Sequence, residues 1–243
     1  MKLSRYKHDS PFSYTLGATL SYELLKTNPQ LIRRVFLRPD IKHGDDLEKI
    51  LSELRQNHIE IIESTKAFNI LNAKDNCLLI AEFTKPSMPL QNDPNEAHIV
   101  LVNPSDTGNL GTIIRTAAAF GYHNLAIITP AVDPYDPKTI RASMGAIFHL
   151  NIAQFHSFED YLAAQSSPRR LYSFMLDRQA QTLAEITPED HNYALIFGNE
   201  AAGLPKEFAQ TANPIFIPQS SNVDSLNLSV AASIAMYHFS HKA

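Results

Sequence analysis

Short apolar runs alternate with helical repeats along the second half of the chain. The runs lie at residues 99–102, 125–128, 148–153, 171–175, 194–197 and 215–217. Apolar residues at helical spacing separate them, as at 110–120 and 158–164. Continuous apolar strands separated by helices predict a parallel sheet covered on both faces. The last segment, 224–239, is apolar or small on nearly every side, which predicts a helix buried in the domain or against another subunit.

The first part of the chain mixes both kinds of element. We predict helices over 16–26 and 45–57 and strands over 34–37, 59–62 and 78–83. Three prolines interrupt the pattern at 84–97, and proline blocks both a helix and a central strand because it lacks a backbone donor. The sequence therefore predicts a small α/β domain over 1–83, a linker over 84–97 and a second α/β domain over 98–243.

Composition and the absence of some patterns narrow the class of protein. With 44% hydrophobic and 19% charged residues, the chain can bury a core. The single cysteine, Cys77, cannot form an internal disulfide, and no Cys and His spacing predicts a metal site. No apolar run approaches the roughly 18 residues of a membrane span, and no secretory signal is evident. We expect a cytoplasmic protein without metal or membrane partners.

Basic residues are concentrated near the start of a chain whose net charge is −4. Residues 1–43 contain eight Lys and Arg against three Asp and Glu. Such a basic end can contact nucleic-acid phosphates, although a segment of this charge is also common on ordinary surfaces. Arg33, Arg34 and Arg38 are the candidates for this contact.

The loop at 103–117 follows the first strand of the second domain, where ligands of parallel sheets bind. Gly108 and Gly111 let the backbone turn tightly into a helix, and Asn109 is expected to cap its start. Arg115 lies one turn beyond Gly111 on the same face of the helix, so its side chain would extend over the loop. The ordinary alternative is a solvated surface arginine.

A second loop, 198–205, places Glu200 at the exit of a predicted buried strand. The carboxylate is flanked by Gly198 and Gly203. It can serve a binding site, or it can simply stabilise the N–H groups of a helix start.

A third loop, 217–229, leads into the final helix. Asp224 or Ser225 is expected to cap that helix. Asn227 is a polar group in an apolar segment, so it needs a hydrogen-bond partner or a substrate.

A strand leading into a glycine-rich turn and a helix is also the pattern of a dinucleotide-binding loop. That fingerprint requires G-x-G-x-x-G, whereas residues 108–111 provide only G-x-x-G. This difference weakens the interpretation as a dinucleotide-dependent enzyme, which stays an alternative. Melting temperatures with NAD would test it.

Together, the three loops resemble the three signature motifs of the SpoU (TrmH-like) family of RNA 2′-O-methyltransferases in the SPOUT superfamily. Three matches in the right order across 99–240 make the resemblance specific. The matching residues are Gly108-Asn109-Leu110-Gly111 with Arg115, then Gly198-Asn199-Glu200 with Gly203-Leu204, then Ile217-Pro218 and Ser225-Leu226-Asn227 with Ser229.

The resemblance implies a fold and a set of partners. The second domain would be a parallel-sheet SPOUT domain with a C-terminal trefoil knot, and the first a small L30e-like RNA-binding domain. The protein would be a homodimer with a site completed across the interface. S-adenosylmethionine would be the methyl donor and rRNA or tRNA the substrate, with no DNA partner.

The resemblance also implies roles for single residues. Arg115 would act on the ribose 2′-oxygen, and we favour electrostatic stabilisation because an arginine pKa above about 12 makes it a poor base. The residues implied to orient Arg115 and the ribose are Asn109, Glu200, Ser225 and Asn227. Those implied to hold the cofactor are Gly198, Asn199, Gly203, Ile217, Pro218 and Leu226.

Two positions depart from the family motifs. Gln219 stands where methionine is usual, and Asp106 where asparagine is frequent. Neither change removes a reacting group, but Gln219 alters the expected cofactor loop. A catalytically silent RNA-binding protein is the remaining alternative, which transfer of labelled methyl to RNA would exclude.

Overall fold

The structure is a computed structural model that describes residues 3–39, 44–87, 89–93 and 95–241. Lys2 and Lys42 of the basic end, and positions 88 and 94 of the predicted linker, lie outside the described residues. Within those ranges no helix combines the length and apolar character needed to cross a membrane.

The elements alternate along the chain. The strands are β1 (Phe12–Leu16), β2 (Ile32–Leu37), β3 (Ile61–Glu63), β4 (Leu79–Thr84), β5 (His98–Val102), β6 (Asn124–Ile128), β7 (Asn151–Phe155), β8 (Arg170–Phe174), β9 (Gln181–Thr182), β10 (Tyr193–Phe197) and β11 (Asn213–Phe216). The helices are α1 (Ala18–Thr27), α2 (Asp45–Gln56), α3 (Thr65–Ile70), α4 (Thr107–Ala119), α5 (Pro137–Ala142), α6 (Phe158–Ala163), α7 (Phe208–Thr211) and α8 (Leu228–Ser240).

The first compact unit consists of Met1–Pro86 and Asp133–Phe148. Its sheet has the order β1-β4-β2-β3, with β4 antiparallel to both β1 and β2, and β2 parallel to β3. Helix α2 buries the apolar stripe that the sequence predicted. Strand β1 was missed although Phe12–Leu16 alternates apolar and polar residues, which is the pattern of a strand. Its polar residues Ser13 and Thr15 are fully buried, which the alternation does not predict. Their hydroxyls are satisfied internally, by the Tyr135 carbonyl and by Ser21.

Residues 133–148 follow β6 in the chain but pack within the first unit. The rings of Tyr135 and Phe148 meet Phe83 edge-on at centroid distances of 6.4 and 5.4 Å. The Asp133 carboxylate accepts hydrogen bonds from Lys85 and from the Tyr6 hydroxyl. The compact unit thus contains a segment that the sequence assigned to the second domain, while the domain limits themselves stay a prediction.

The second unit consists of Ser87–Val132 and His149–Ala243. Its seven-stranded sheet has the order β7-β6-β5-β10-β8-β11-β9, and every pairing is parallel. All residues of β5, β6 and β10 are buried. The predicted parallel sheet with both faces covered is therefore confirmed. The strand predicted over 148–153 begins too early, because Ala146–His149 form a 3₁₀ turn and β7 begins at Asn151.

Helix α8 begins later than the sequence suggested. The Asn227 side chain caps it by accepting from the backbone N–H groups of Ser229 (2.8 Å) and Val230 (3.4 Å), so the expected cap at Asp224 or Ser225 is wrong. One face of α8 is buried in the unit. Val230, Ile234 and Tyr237 on the other face are 46, 39 and 56% exposed.

His98, at the start of β5, is a fully buried histidine held in its neutral form. Its Nε2 lies 3.0 Å from the Gln91 carbonyl, which can only accept, so Nε2 carries the proton. Its Nδ1 then accepts from the Tyr161 hydroxyl at 3.1 Å. Burial, assisted by the charge of Arg169, lowers the pKa of His98 to about 4.

This pKa predicts a pH dependence of folding. In the unfolded chain the ring titrates near 6.5, so between pH 6.5 and about 4 the unfolded state binds a proton that the folded state does not. The stabilisation is complete above pH 6.5 and is lost as the pH falls toward 4. Urea unfolding at pH 7 and 4.5 should show His98→Gln losing about 2–3 kcal/mol less than wild type on acidification.

The matched control is His123→Gln, which removes an exposed histidine. It should show the wild-type dependence. Equal losses for His98→Gln and the control would contradict the neutral, buried state of His98.

Candidate active site

The three predicted loops follow strands that lie side by side or nearly so in the second unit. β5 is paired with β10, and β8 lies between β10 and β11. The carboxyl ends of these parallel strands share one edge of the sheet. The segments 103–106, 198–204 and 217–227 therefore start at the same edge.

The Glu200 carboxylate joins the second loop to the first. Its Oε2 accepts from the backbone N–H of Ser105 at 3.0 Å and from the Ser105 hydroxyl at 2.7 Å. Its Oε1 accepts from the backbone N–H of Asp106 at 3.2 Å and from Asn109 Nδ2 at 3.3 Å. One carboxylate thus satisfies four donors on a segment more than 90 residues earlier in the chain.

Asn109 carries this connection on to the third loop. Its Nδ2 donates to Glu200, and its Oδ1 accepts from Asn227 Nδ2 at 3.0 Å. The cap of α4 is Asp106, whose carboxylate accepts from the Asn109 N–H at 2.7 Å, so the sequence's cap at Asn109 is wrong. Because Asp106 performs the capping, the Asn109 amide is available for the relay from Glu200 through Asn109 to Asn227.

The protonation of Glu200 follows from these contacts. Partial burial by itself acts to raise the pKa of the carboxyl, but the hydrogen bonds from Ser105 and Asn109 outweigh it and the net pKa is lowered. The carboxylate form is therefore favoured at neutral pH. Because the pKa is lower in the folded state, the hydrogen bonds to the carboxylate stabilise the folded loop above the carboxyl's ordinary pKa of 4.5. This stabilisation is lost as the pH falls below that value.

Asn199 shapes the second loop from inside. Its Nδ2 donates to the Asn103 carbonyl at 2.8 Å, and its Oδ1 accepts from the N–H groups of Ala201 and Ala202. Backbone bonds in both directions also connect Asn199 with Gly203. The side-chain amide of Asn199 is thus engaged in hydrogen bonds within the protein.

A cavity of about 590 Å³ opens between these loops and the end of β8. This volume lies in the range of small-molecule sites, about 300–1,000 Å³. The predicted site residues in its wall are Gly198, Asn199, Glu200, Gly203, Ile217, Ser225 and Leu226.

Four other predicted residues are placed outside the wall. Among the described residues, Pro218 is exposed beside it, and Asn109 and Asn227 lie in the relay behind it. Arg115 is exposed on α4 and makes no hydrogen bond or ion pair with another described residue. Its guanidinium is free to meet a ligand, but the structure does not bring it into the cavity.

The sequence also missed part of the site. Residues 174–177, at the carboxyl end of β8, line the cavity. The same edge rule that identified the other loops could have identified this one. Ser105, the main donor to Glu200, was also missed, since a serine in a loop carries no distinctive signal.

The three arginines proposed for phosphate contact lie in the first unit. Arg33 and Arg34 both pair with Glu82, which is only 2% exposed. Arg38 donates to the carbonyls of Cys77 and Lys74 and lies over the Phe68 ring. Arg33 and Arg34 therefore also compensate a buried charge, and removing either would weaken the fold.

No group of His, Cys, Asp and Glu suited to a metal ion occurs within the part of the chain that the structure describes.

Comparison with known proteins agrees with this geometry. The sequence profile described as the SpoU rRNA Methylase family matches residues 96–237. A similar curated protein is the 23S rRNA (guanosine(2553)-2′-O)-methyltransferase of Bacillus subtilis, 28% identical over 226 residues that cover 91% of this chain and 86% of the relative. A putative tRNA (cytidine(34)-2′-O)-methyltransferase of the same organism is 32% identical, over 58% of this chain and 89% of the relative.

A solved structure extends the similarity to the fold of nearly the whole chain. The AdoMet-bound rRNA methyltransferase of Sinorhizobium meliloti is 26% identical and superposes with a TM-score of 0.81. The match covers 94% of this chain and 86% of that one.

Two glycines of the second loop allow a matched test of its packing. A Cβ on Gly198 would lie 2.2 Å from the Gly203 carbonyl carbon, whereas a Cβ on Gly203 would meet nothing within 4 Å. Gly203 has a φ of +68°, so Gly203→Ala costs only backbone strain, about 1 kcal/mol. Gly198→Ala must displace backbone and should cost about 3 kcal/mol in the free energy of unfolding.

Denaturant unfolding of the two variants checks this difference. Equal losses would show that the close approach of residues 198 and 203 is not a constraint in solution.

Proposed function

Because the chain belongs to the SpoU rRNA methylase family, we propose that it transfers the methyl group of S-adenosylmethionine to the ribose 2′-oxygen of a nucleotide in rRNA or tRNA. The observation that carries this proposal is the relay from Glu200 through Asn109 to Asn227, which joins the three motif loops beside one cavity. We propose that the protein acts on these RNAs in the cytoplasm.

The cavity has the properties that S-adenosylmethionine requires. Apolar side chains of Ile217 and Leu226 can cover the adenine ring, and the backbone at Gly198 offers polar atoms at the carboxyl edge of the sheet. When bound, S-adenosylmethionine supplies a methyl group already activated by its sulfonium charge. The second loop, braced internally by Asn199, keeps its shape without the ligand and so limits the entropy lost on binding.

Arg115 is the residue we propose to act on the substrate. A ribose 2′-hydroxyl is a weak nucleophile at neutral pH, and a guanidinium lowers the cost of the negative charge that develops on its oxygen. A guanidinium carries N–H donors and no acceptor, so it serves as a stabiliser and hydrogen-bond donor. Ser225 and Glu200 in the cavity wall, with Asn109 and Asn227 joined to Glu200 by hydrogen bonds, would orient the ribose and the loop that holds it.

We also propose that the protein acts as a homodimer. The exposed apolar stripe of Val230, Ile234 and Tyr237 on α8 supports this, because such a face is costly in water and fits a second copy. α8 packs against α4 through the Ser233 and Thr116 hydroxyls, 3.2 Å apart. A partner on α8 would therefore approach Arg115 on α4 and complete the site.

Two features of the fold belong to the same proposal. We propose a trefoil knot formed by the chain around the second and third loops, supported by the insertion of β10 between β5 and β8 in the sheet.

We also propose that the first unit is an L30e-like domain that contacts RNA. Arg33, Arg34 and Arg38 of this unit are the residues we propose for the contacts with phosphates.

The function is tested with the full chain, labelled S-adenosylmethionine and unmodified transcripts of rRNA and tRNA. A 2′-O-methyl group removes the nucleophile of alkaline cleavage, so the label should appear in alkali-stable dinucleotides. Arg115→Ala should reduce turnover a hundredfold or more, about 3 kcal/mol, and leave the Kd for S-adenosylmethionine within about twofold.

Arg55→Ala, which removes an exposed arginine on α2, is the matched control and should retain full activity. Label recovered in mononucleotides would indicate base methylation and refute the reaction. Normal turnover of Arg115→Ala would return that residue to an ordinary surface role.

The dimer is tested with two apolar residues of similar exposure. Ile234 on α8 is 39% exposed and Leu162 on α6 is 37% exposed. Ile234→Lys should weaken dimerisation at least tenfold in sedimentation equilibrium, about 1.4 kcal/mol, because it places a charge in an apolar contact. Leu162→Lys should sediment like wild type, and a monomeric wild-type chain would contradict the proposal.

A further inference from the structure

The loop between β11 and α8, residues 217–227, forms one wall of the cavity without regular structure. Its wall residues are Ile217, Gln219, Ser225 and Leu226. The residues between the two halves of this wall, 220–224, are all exposed. Packing therefore does little to hold residues 220–224, which connect the two halves of the wall.

One hydrogen bond spans the exposed part. Gln219 Nε2 donates to the Asp224 carbonyl at 3.2 Å. The other bond that the described loop makes within itself, from the Asn222 N–H to the Ser220 hydroxyl at 3.4 Å, joins residues only two apart. A carbonyl can accept only from the amide nitrogen, so the orientation of the Gln219 side chain is fixed by its partner.

The position of Asp224 gives this bond its significance. Asp224 directly precedes Ser225 and Leu226, so the bond ties the first half of the wall to the second. A loop held in its binding shape before the ligand arrives loses less entropy on binding. Methionine, which the family motif usually has here, could extend as far but could not donate a hydrogen bond.

We propose that Gln219 is a positioning residue that closes the loop 217–227 and thereby raises the affinity of the cavity for its methyl donor. The inference rests on the proposed function only for the identity of that donor. The closure of the loop is a property of the free protein.

The test compares Gln219→Met with Gln210→Met in the full chain. Gln210 is exposed on α7 and makes no side-chain hydrogen bond with a described residue, so it controls for the change in chemistry. Amide ¹⁵N relaxation of the free protein should show order parameters at 220–226 falling from the rigid range near about 0.85 toward about 0.6 in Gln219→Met only.

Calorimetry and kinetics complete the test with S-adenosylmethionine as the probe. Loss of one net hydrogen bond predicts a Kd about fivefold higher for Gln219→Met, with turnover at saturation within twofold of wild type. Gln219→Glu keeps the length but not the donor at neutral pH, and should loosen the loop in the same way.

The outcomes separate the inference from the function. Unchanged order parameters in Gln219→Met would overturn the positioning role, even if the Kd rises, since Gln219 would then act by touching the ligand. A looser loop with unchanged Kd would also overturn it. A wild-type chain that binds no S-adenosylmethionine would refute the proposed function, while the relaxation result would still decide whether Gln219 closes the loop.

Discussion

The carboxylate of Glu200 is the contact on which the organisation of the site depends. Two backbone N–H groups just before the first residue of α4, a hydroxyl and an amide all donate to it. A helix start leaves N–H groups without intrahelical partners and carries partial positive charge, so an anion there is favourable. The anion in this protein comes from another loop. The Glu200 carboxylate thus compensates the partial positive charge at the start of α4 and holds the second loop in the same contact.

The remaining polar groups follow from that arrangement. Asp106 caps α4 from the side, which leaves Asn109 to connect Glu200 with Asn227. Asn227 in turn caps α8 with its oxygen and uses its nitrogen for Asn109. Each amide has one donor end and one acceptor end, so the order of partners along the relay is fixed. Three segments far apart in sequence are thereby held as one edge of the cavity.

Much of this could be predicted from the sequence. Continuous apolar strands gave the parallel sheet, and the glycine, carboxylate and asparagine pattern of the loops gave the family resemblance that the comparisons confirm. The caps could not be assigned, because Asp106, Asn109, Ser225 and Asn227 are all suitable cap residues and only the three-dimensional contacts choose among them.

Other features depended on contacts distant in sequence. Strand β1 has the alternation of a strand and was simply missed, but the burial of Ser13 and Thr15 depends on hydrogen-bond partners that no periodicity reveals. The sequence also did not predict the buried Glu82 between Arg33 and Arg34, so two of the three arginines proposed for phosphate contact also compensate a buried charge in the first unit. The assignment of 133–148 to that unit rests on ring contacts with Phe83.

The most direct measurement is a double-mutant cycle between Glu200→Gln and Asn227→Ser, read as the free energy of S-adenosylmethionine binding. Serine still caps a helix but is too short to reach Asn109, so the substitution breaks the relay and keeps a cap on α8. Glu200 and Asn227 share no hydrogen bond, yet the account predicts a coupling of about 1 kcal/mol that disappears when Asn109 is alanine. Additivity within about 0.3–0.5 kcal/mol in the presence of Asn109 would contradict the account, because the three loops would then bind independently.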